Sequence, residues 1–172
     1  REQALVQKMM QSFTENEVKP IAAEIDRTHQ YPAENVAKLF KLGVMGMTVP
    51  KEYGGMGADQ VAAAICTEEL AKACASTSDI VAGHTLCCVP IVEHGTEEQK
   101  KKYLPMLTKG GVLGGMGITE PNAGSDASKS QTEARLEGDH YVINGSKIFI
   151  TNGPEAGVFV IFAMTGKTKG NK

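Results

Sequence analysis

The chain has no tryptophan, and aromatic residues fill only 5% of its 172 positions. Most of its core must therefore come from aliphatic, methionine and cysteine side chains. Neither sign of charge dominates: 18 basic and 20 acidic side chains leave a formal net charge of -2, which supplies no positive field for a nucleic acid backbone. No apolar run approaches the ~18 residues that a membrane span requires. The opening stretch "REQALVQKMMQSFTENEVKP" alternates charged and apolar positions at helical spacing, unlike a signal or transit peptide. No nucleic acid or membrane partner is expected. Cys66, Cys74, Cys87 and Cys88 include no C-x-x-C pair and have no histidines at finger spacing, so neither a metal site nor a disulfide framework is expected. They read as small buried hydrophobes of a protein kept in a reducing compartment, bacterial cytoplasm or mitochondrial matrix. His29, His84, His94 and His140 are scattered and read as surface or cap positions.

What is present divides into two rhythms. The first hundred or so residues carry helical spacing with recognisable stops. Leu5, Met9 and Phe13 predict the buried stripe of an opening helix, which Pro20 breaks or restarts ahead of Ile21 and Ile25. Pro32 begins a helix with Val36, Leu39 and Phe40 facing inward, ended by Gly43. "VPKEYGGMGAD" is too rich in glycine to be helical, and Asp59 caps the helix through Val61, Ile65 and Leu70. A further helix runs from Ser76–Ser78 toward His94-Gly95. Thr96-Glu97-Glu98-Gln99 has the form of a capping box ahead of a helix through Tyr103 and Leu104.

After "TKGGVLGG" the pattern becomes one of short alternating segments. Thr132, Ala134 and Leu136 alternate with polar residues, Gly138-Asp139 turns the chain, and Tyr141 and Ile143 alternate on the return. Asn144-Gly145 is a second turn signal, leading into "KIFIT" and then the apolar run "VFVIFAM". The expected class is α+β with two domains: an all-α domain over residues 1–112, then the start of an antiparallel β-barrel-like domain over 113–172, before any further helical bundle. The tail "TGKTKGNK" is polar, and its Gly-Lys-Thr is no phosphate-binding P-loop because Ile161 stands where that motif needs glycine. Around Gly114, Gly115 and Gly117 there is likewise no G-x-G-x-x-G between a strand and a helix.

The densest local signal is "GITEPNAGSD", residues 117–126. Ala123, Gly124 and Ser125 would let backbone donors approach a ligand closely, and a hydroxyl beside free N–H groups suits a phosphate. Thr119 offers a hydroxyl and an amide, Pro121 fixes direction, and Glu120 and Asp126 can hold the turn through backbone amides. A tight surface turn built from the same residues is the competing reading.

"GITEPNAGSDAS" resembles the flavin-binding signature of the acyl-CoA dehydrogenases, and "YVINGSKIFITNG" is similar to that family's second flavin segment. The likeness extends through "VKPIAAEID", "VPKEYGGMG" and "HGTEEQKKKYL", and is strongest to the bacterial butyryl-CoA (short-chain) members. It implies an oxidoreductase that binds FAD along Met116, Gly117, Ile118, Thr119, Glu120, Pro121, Asn122, Ala123, Gly124 and Ser125, and again along Phe149, Ile150 and Thr151. By that resemblance Ile118 and Thr119 would meet the pyrimidine edge of the flavin, Gly124 and Ser125 the pyrophosphate, and Thr151 the N5/O4 end. Phe149 stands where many relatives carry tryptophan. Ser125 also matches a position used for the acyl-CoA thioester, and Ala82, Gly83 and Leu86 would line the far end of the acyl chain. The family's base belongs to a carboxy-terminal helical domain, so no catalytic residue is assigned, and Glu120 is a poor substitute inside the cofactor loop. Electron-transfer flavoprotein as partner and a homotetramer are further implications. An acyl-CoA oxidase and a non-catalytic binding module are the alternatives.

Overall fold

The computed structural model describes residues 2–166. Helices α1 (Glu2–Phe13), α2 (Lys19–Thr28), α3 (Ala33–Lys41), α4 (Gln60–Ala71), α5 (Ala75–His94) and α6 (Glu97–Thr108) come first. Strands β1 (Leu113–Gly117), β2 (Glu133–Glu137), β3 (His140–Asn144) and β4 (Ala156–Ile161) follow. The class is the expected one, a helical domain followed by the start of a β domain. The polar tail from residue 167 on, including two residues of its Gly-Lys-Thr, lies outside the described residues.

The buried stripe of α1 is Val6, Met10 and Phe13, while Leu5 is 64% exposed. A stripe at 6, 10 and 13 follows the 3.6-residue period more closely than one at 5, 9 and 13, whose two successive steps of four carry its ends about 80° apart around the helix. Pro20 does not break the chain. A five-residue π-turn, Thr14–Val18, joins α1 directly to α2, and Pro20 falls in the first turn of α2, where a missing N–H costs little. The π-turn is plugged from α3: Asn35 Nδ2 donates to the Glu17 carbonyl at 3.0 Å, and Lys38 Nζ reaches the Glu17 carboxylate at 2.6 Å. Ile25 is buried but Ile21 is not.

The predicted caps hold. Pro32 stands at the N-cap of α3, and Gly43 takes the left-handed φ of 79° that ends it. Asp59 Oδ1 accepts from the Ala62 amide at 2.8 Å. Thr96 and Gln99 exchange both capping-box bonds, at 2.8 and 3.2 Å.

Helix α5 is the axis of the fold, packed between α4, α6 and β1. By length and composition it could cross a membrane, but Ile80, Val81, Cys87 and Cys88 are buried within the protein. All four cysteines are buried free thiols. Desolvation pushes Cys66 and Cys87 up to about 11 and Cys88 up to about 12, so they act as packing and not as nucleophiles. His84 is a correction to the surface reading. It is wholly buried, and its Nδ1 accepts from the Gly114 amide at 3.0 Å, tying α5 to β1.

The β portion differs from the expected run of antiparallel strands. β2 and β3 form the predicted hairpin, with Gly138 at φ 65° in the turn. β1 and β4, however, pair in parallel. β1 carries three glycines in five residues and so no strand pattern, yet the glycines are what allow it to pack: a methyl at Gly114 would lie 2.6 Å from Cys87 Cβ, and one at Gly115 2.8 Å from the Phe159 ring. "KIFIT" is not a strand either, because Phe149 (φ 56°) and Asn152 (φ 64°) are left-handed and fold the segment into successive turns. Gly145 is not a hairpin turn; it lies flat on Thr132, where a methyl would meet the Thr132 backbone at 2.6 Å.

Candidate functional site

Two segments of the β portion, far apart in sequence, are bonded side by side. The Ile148 amide donates to the Thr119 carbonyl at 2.9 Å. Beside it the Lys147 ammonium donates to the Ile118 carbonyl at 2.8 Å, to Glu120 Oε1 at 2.7 Å and to Ser130 Oγ at 3.0 Å. Both side chains of this ion pair are nearly inaccessible, 8% for Lys147 and 4% for Glu120.

Glu120 is the hub. Its carboxylate also accepts from the Ser130 hydroxyl, from the Gln131 amide at 2.5 Å and from the Thr132 amide at 2.9 Å. The Lys147 ammonium first, then these donors, hold the carboxyl far below the usual carboxylate range. A base must be able to take a proton at working pH, and this group cannot. Its function is to close the loop that leaves β1 back onto the residues that enter β2. The turn inside that loop closes on itself, the Glu120 and Ala123 amides donating to each other's carbonyls at 2.9 and 3.1 Å. Ala123 is buried beneath it, while Pro121, Asn122, Gly124 and Ser125 are exposed. Asp126 binds Ser128 and Lys129 at its far end.

The loop therefore presents a ridge of backbone. Among the described residues, no protein acceptor takes the amide protons of Ile118, Thr119, Gly124 or Ser125. A Cβ at Gly124 would meet nothing within 4 Å. Met116 and Gly117 end β1 at the base of the ridge, with Met116, Ile118 and Thr119 half-buried. Across from them, Phe149 is held at φ 56° with 88% of its surface in solvent. A left-handed aromatic residue exposed to that degree is costly without a function. Ile150 is half-buried, and Thr151 is anchored twice on α5: its hydroxyl donates to Asp79 Oδ2 at 3.1 Å, and its methyl packs where a methyl on Gly83 would lie 2.6 Å away.

Of the three positions expected to line an acyl chain, two share a face and one does not. Ala82 and Leu86 line an apolar cavity of about 330 Å³ between α4, α5 and the turn Val44–Gly46, together with Met47 and Ala63. Gly83 looks the other way, onto Thr151. Lys147 and Asp79 were not singled out from the sequence. A lone lysine inside the apolar "SKIFI" was the available signal for the first; nothing local marks Asp79.

Residues 1–111 match the acyl-CoA dehydrogenase N-terminal domain, and residues 115–172 match the acyl-CoA dehydrogenase middle domain. The chain belongs to the acyl-CoA dehydrogenase family. It is 59% identical over 173 residues to the short-chain specific acyl-CoA dehydrogenase of Clostridium acetobutylicum, a match covering 100% of this chain and 46% of that protein. Among solved structures it is similar to a chain in the structure of the electron transferring flavoprotein of Acidaminococcus fermentans (TM-score 0.93, 43% identity, 97% of this chain and 44% of that one). It is also similar to butyryl-CoA dehydrogenase from Megasphaera elsdenii (TM-score 0.91, 42% identity, 98% and 45%). A third likeness is to an acyl-CoA dehydrogenase complexed with FAD from Bacillus anthracis (TM-score 0.87, 38% identity, 94% and 29%). The chain thus spans a little under half the length of the curated acyl-CoA dehydrogenase it matches.

Proposed function

We propose that this chain forms one wall of the FAD site of a short-chain acyl-CoA dehydrogenase, with residues 1–112 as the helical domain and 113–172 as the opening of the β domain. The carrying observation is the joining of the 118–125 ridge to the 147–151 segment by the Ile148–Thr119 bond and the Lys147 ammonium. That junction puts free amides on one side and an exposed aromatic ring on the other, a shape that suits a flat ring with a hydrogen-bonding edge. FAD, when bound, supplies the acceptor for the β-hydride of an acyl-CoA whose α-proton is removed in the same reaction, leaving the trans-2-enoyl thioester.

The residues of this chain contribute binding and charge placement. The amides of Ile118 and Thr119 would meet the pyrimidine edge of the ring, where fixed donors favour the reduced state because negative charge collects there. Gly124 and Ser125, unobstructed, would take the pyrophosphate, and Ser125 the thioester as well. Met116, Gly117, Glu120, Pro121, Asn122 and Ala123 shape the ridge beneath these contacts. Phe149 and Ile150 would cover the ring where many relatives use tryptophan, and Thr151 would face its N5/O4 end. Ala82 and Leu86 face the apolar cavity in which a short acyl chain fits; Gly83 leaves that role and serves Thr151. Electron-transfer flavoprotein is the expected electron acceptor, and a homotetramer the expected assembly. The expected setting is bacterial cytoplasm, or mitochondrial matrix in a eukaryote.

The intact protein should be yellow, with flavin absorption bands that bleach when butyryl-CoA is added anaerobically. A colourless protein that takes up no FAD on reconstitution refutes the reading. A yellow one that reoxidises in air as fast as it is reduced points instead to an oxidase.

A further inference from the structure

The Thr151 side chain is held by two contacts from α5, and they determine which side of its hydroxyl faces outward. A carboxylate only accepts hydrogen bonds, so the 3.1 Å contact between Thr151 Oγ1 and Asp79 Oδ2 commits the hydroxyl proton to Asp79. The methyl is seated over Gly83, where any added side-chain atom would collide with it. With the proton on one side and the methyl on another, neither the rotamer nor the hydroxyl rotor is free. What remains to Thr151 Oγ1 is its lone pairs.

We infer that Asp79 is a positioning residue that makes Thr151 a hydrogen-bond acceptor, and that through Thr151 it favours the reduced state of the flavin. The inference rests on the proposed flavin site. An oxidised isoalloxazine carries a lone pair at N5, whereas the ring that has received a hydride, two electrons and one proton from the broken C–H bond of the substrate, carries an N–H there. An acceptor held against that position repels the first and bonds the second. Without Asp79 the hydroxyl could rotate and donate to the oxidised ring, reversing its preference. The negative charge of Asp79 works in the opposite sense, since an anion disfavours added electrons. Asp79 is exposed in this chain, and where solvent reaches it the through-space effect is screened, while the orientation of the hydroxyl is not.

The two effects separate experimentally in the midpoint potential of the flavin, read by spectroelectrochemistry on the intact protein reconstituted with FAD. Asp79→Ala is expected to shift the equilibrium about tenfold toward the oxidised form, which for a two-electron couple is about 30 mV. Asp79→Asn retains an acceptor oxygen for the Thr151 hydroxyl and should stay within roughly twofold of the parent. In a Thr151→Val background, Asp79→Ala should add nothing, because the group it acts through is gone. A potential that rises in Asp79→Ala, or an Asp79→Ala effect of equal size with and without the Thr151 hydroxyl, means that Asp79 acts as a bare charge and overturns the positioning role while leaving flavin binding intact. Failure of the intact parent protein to take up FAD overturns the proposed function and this inference with it.

Discussion

Exchanging Lys147 for methionine is expected to lower FAD retention through gel filtration by at least about tenfold and to lower the melting temperature by on the order of 10 °C. The chain of cause is short. Removing the ammonium leaves the Glu120 carboxylate buried without its counter-charge and frees the Ile118 carbonyl and Ser130 hydroxyl that the ammonium had joined. Among the described residues, the hydrogen bonds between the ridge and the 147–151 segment are then reduced to Ile148–Thr119. Breaking one side of a buried pair is worse than removing both, so the combination of Lys147→Met with Glu120→Gln should recover part of the lost melting temperature. Full FAD retention and an unchanged melting point in Lys147→Met would show that the pair does not fix the loop. The low carboxyl value has a second consequence. A group whose folded value is depressed contributes stability that is present above its unfolded value and is lost only as pH falls through the folded one. Since Glu120 lies far below the carboxylate range, this pin survives mild acid.

His84 should not. Burial drives it from 6.5 down to about 4, against a smaller upward pull from the carbonyls of Leu107 and Met45. The neutral ring is also required by geometry, because Nδ1 accepts from the Gly114 amide while Nε2 faces Cys88 Sγ at 3.5 Å. The sign follows from proton counting: between these two values the unfolded chain binds a proton that the folded one does not, so stability falls as pH falls. Urea unfolding at pH 7 and pH 4 should differ by about 3 kcal/mol from this residue. His84→Leu should flatten that slope while costing about 1–3 kcal/mol at pH 7, because the Gly114 amide is then buried without an acceptor. A slope between pH 6.5 and 4 that is the same in parent and variant would remove His84 as its source.

The helical half was legible because its signals are local. Asp59, Thr96 and Gln99 are each recognised by the backbone within four residues of themselves, and the structure bonds each as its spacing predicts. The hairpin at Gly138 is local in the same sense. The losses occurred where a distant partner decides. β1 carries no strand pattern in the sequence because glycine disfavours strands, yet Cys87 and Phe159 demand those glycines from across the fold. "KIFIT" has strand composition, but the left-handed Phe149 and Asn152 fold it otherwise, and Asn152 is held by Ile80 and Gly114 carbonyls outside its neighbourhood. His84 looked like one of four scattered histidines because its partner is thirty residues away. The candidate site shows the same division. Its ridge was visible as a motif, while the buried pair that braces it joins residues 27 apart and leaves only a lone lysine in an apolar run as its local sign.

The parallel pairing of β1 with β4 means that residues 118–155 form a single excursion whose departure and return are stapled to the same two strands. Within that excursion the β2–β3 ladder closes a smaller ring from Glu133 to Asn144. Extra length added at Gly138-Asp139 would be slack at the free tip of the inner ring, beyond its last paired residues and with open space around Gly138. The same length added at Ser128 would have to be absorbed between Glu120 and the Ser130–Thr132 donors it grips. Two loops of similar composition therefore differ in their freedom to diverge, and the difference comes from topology alone.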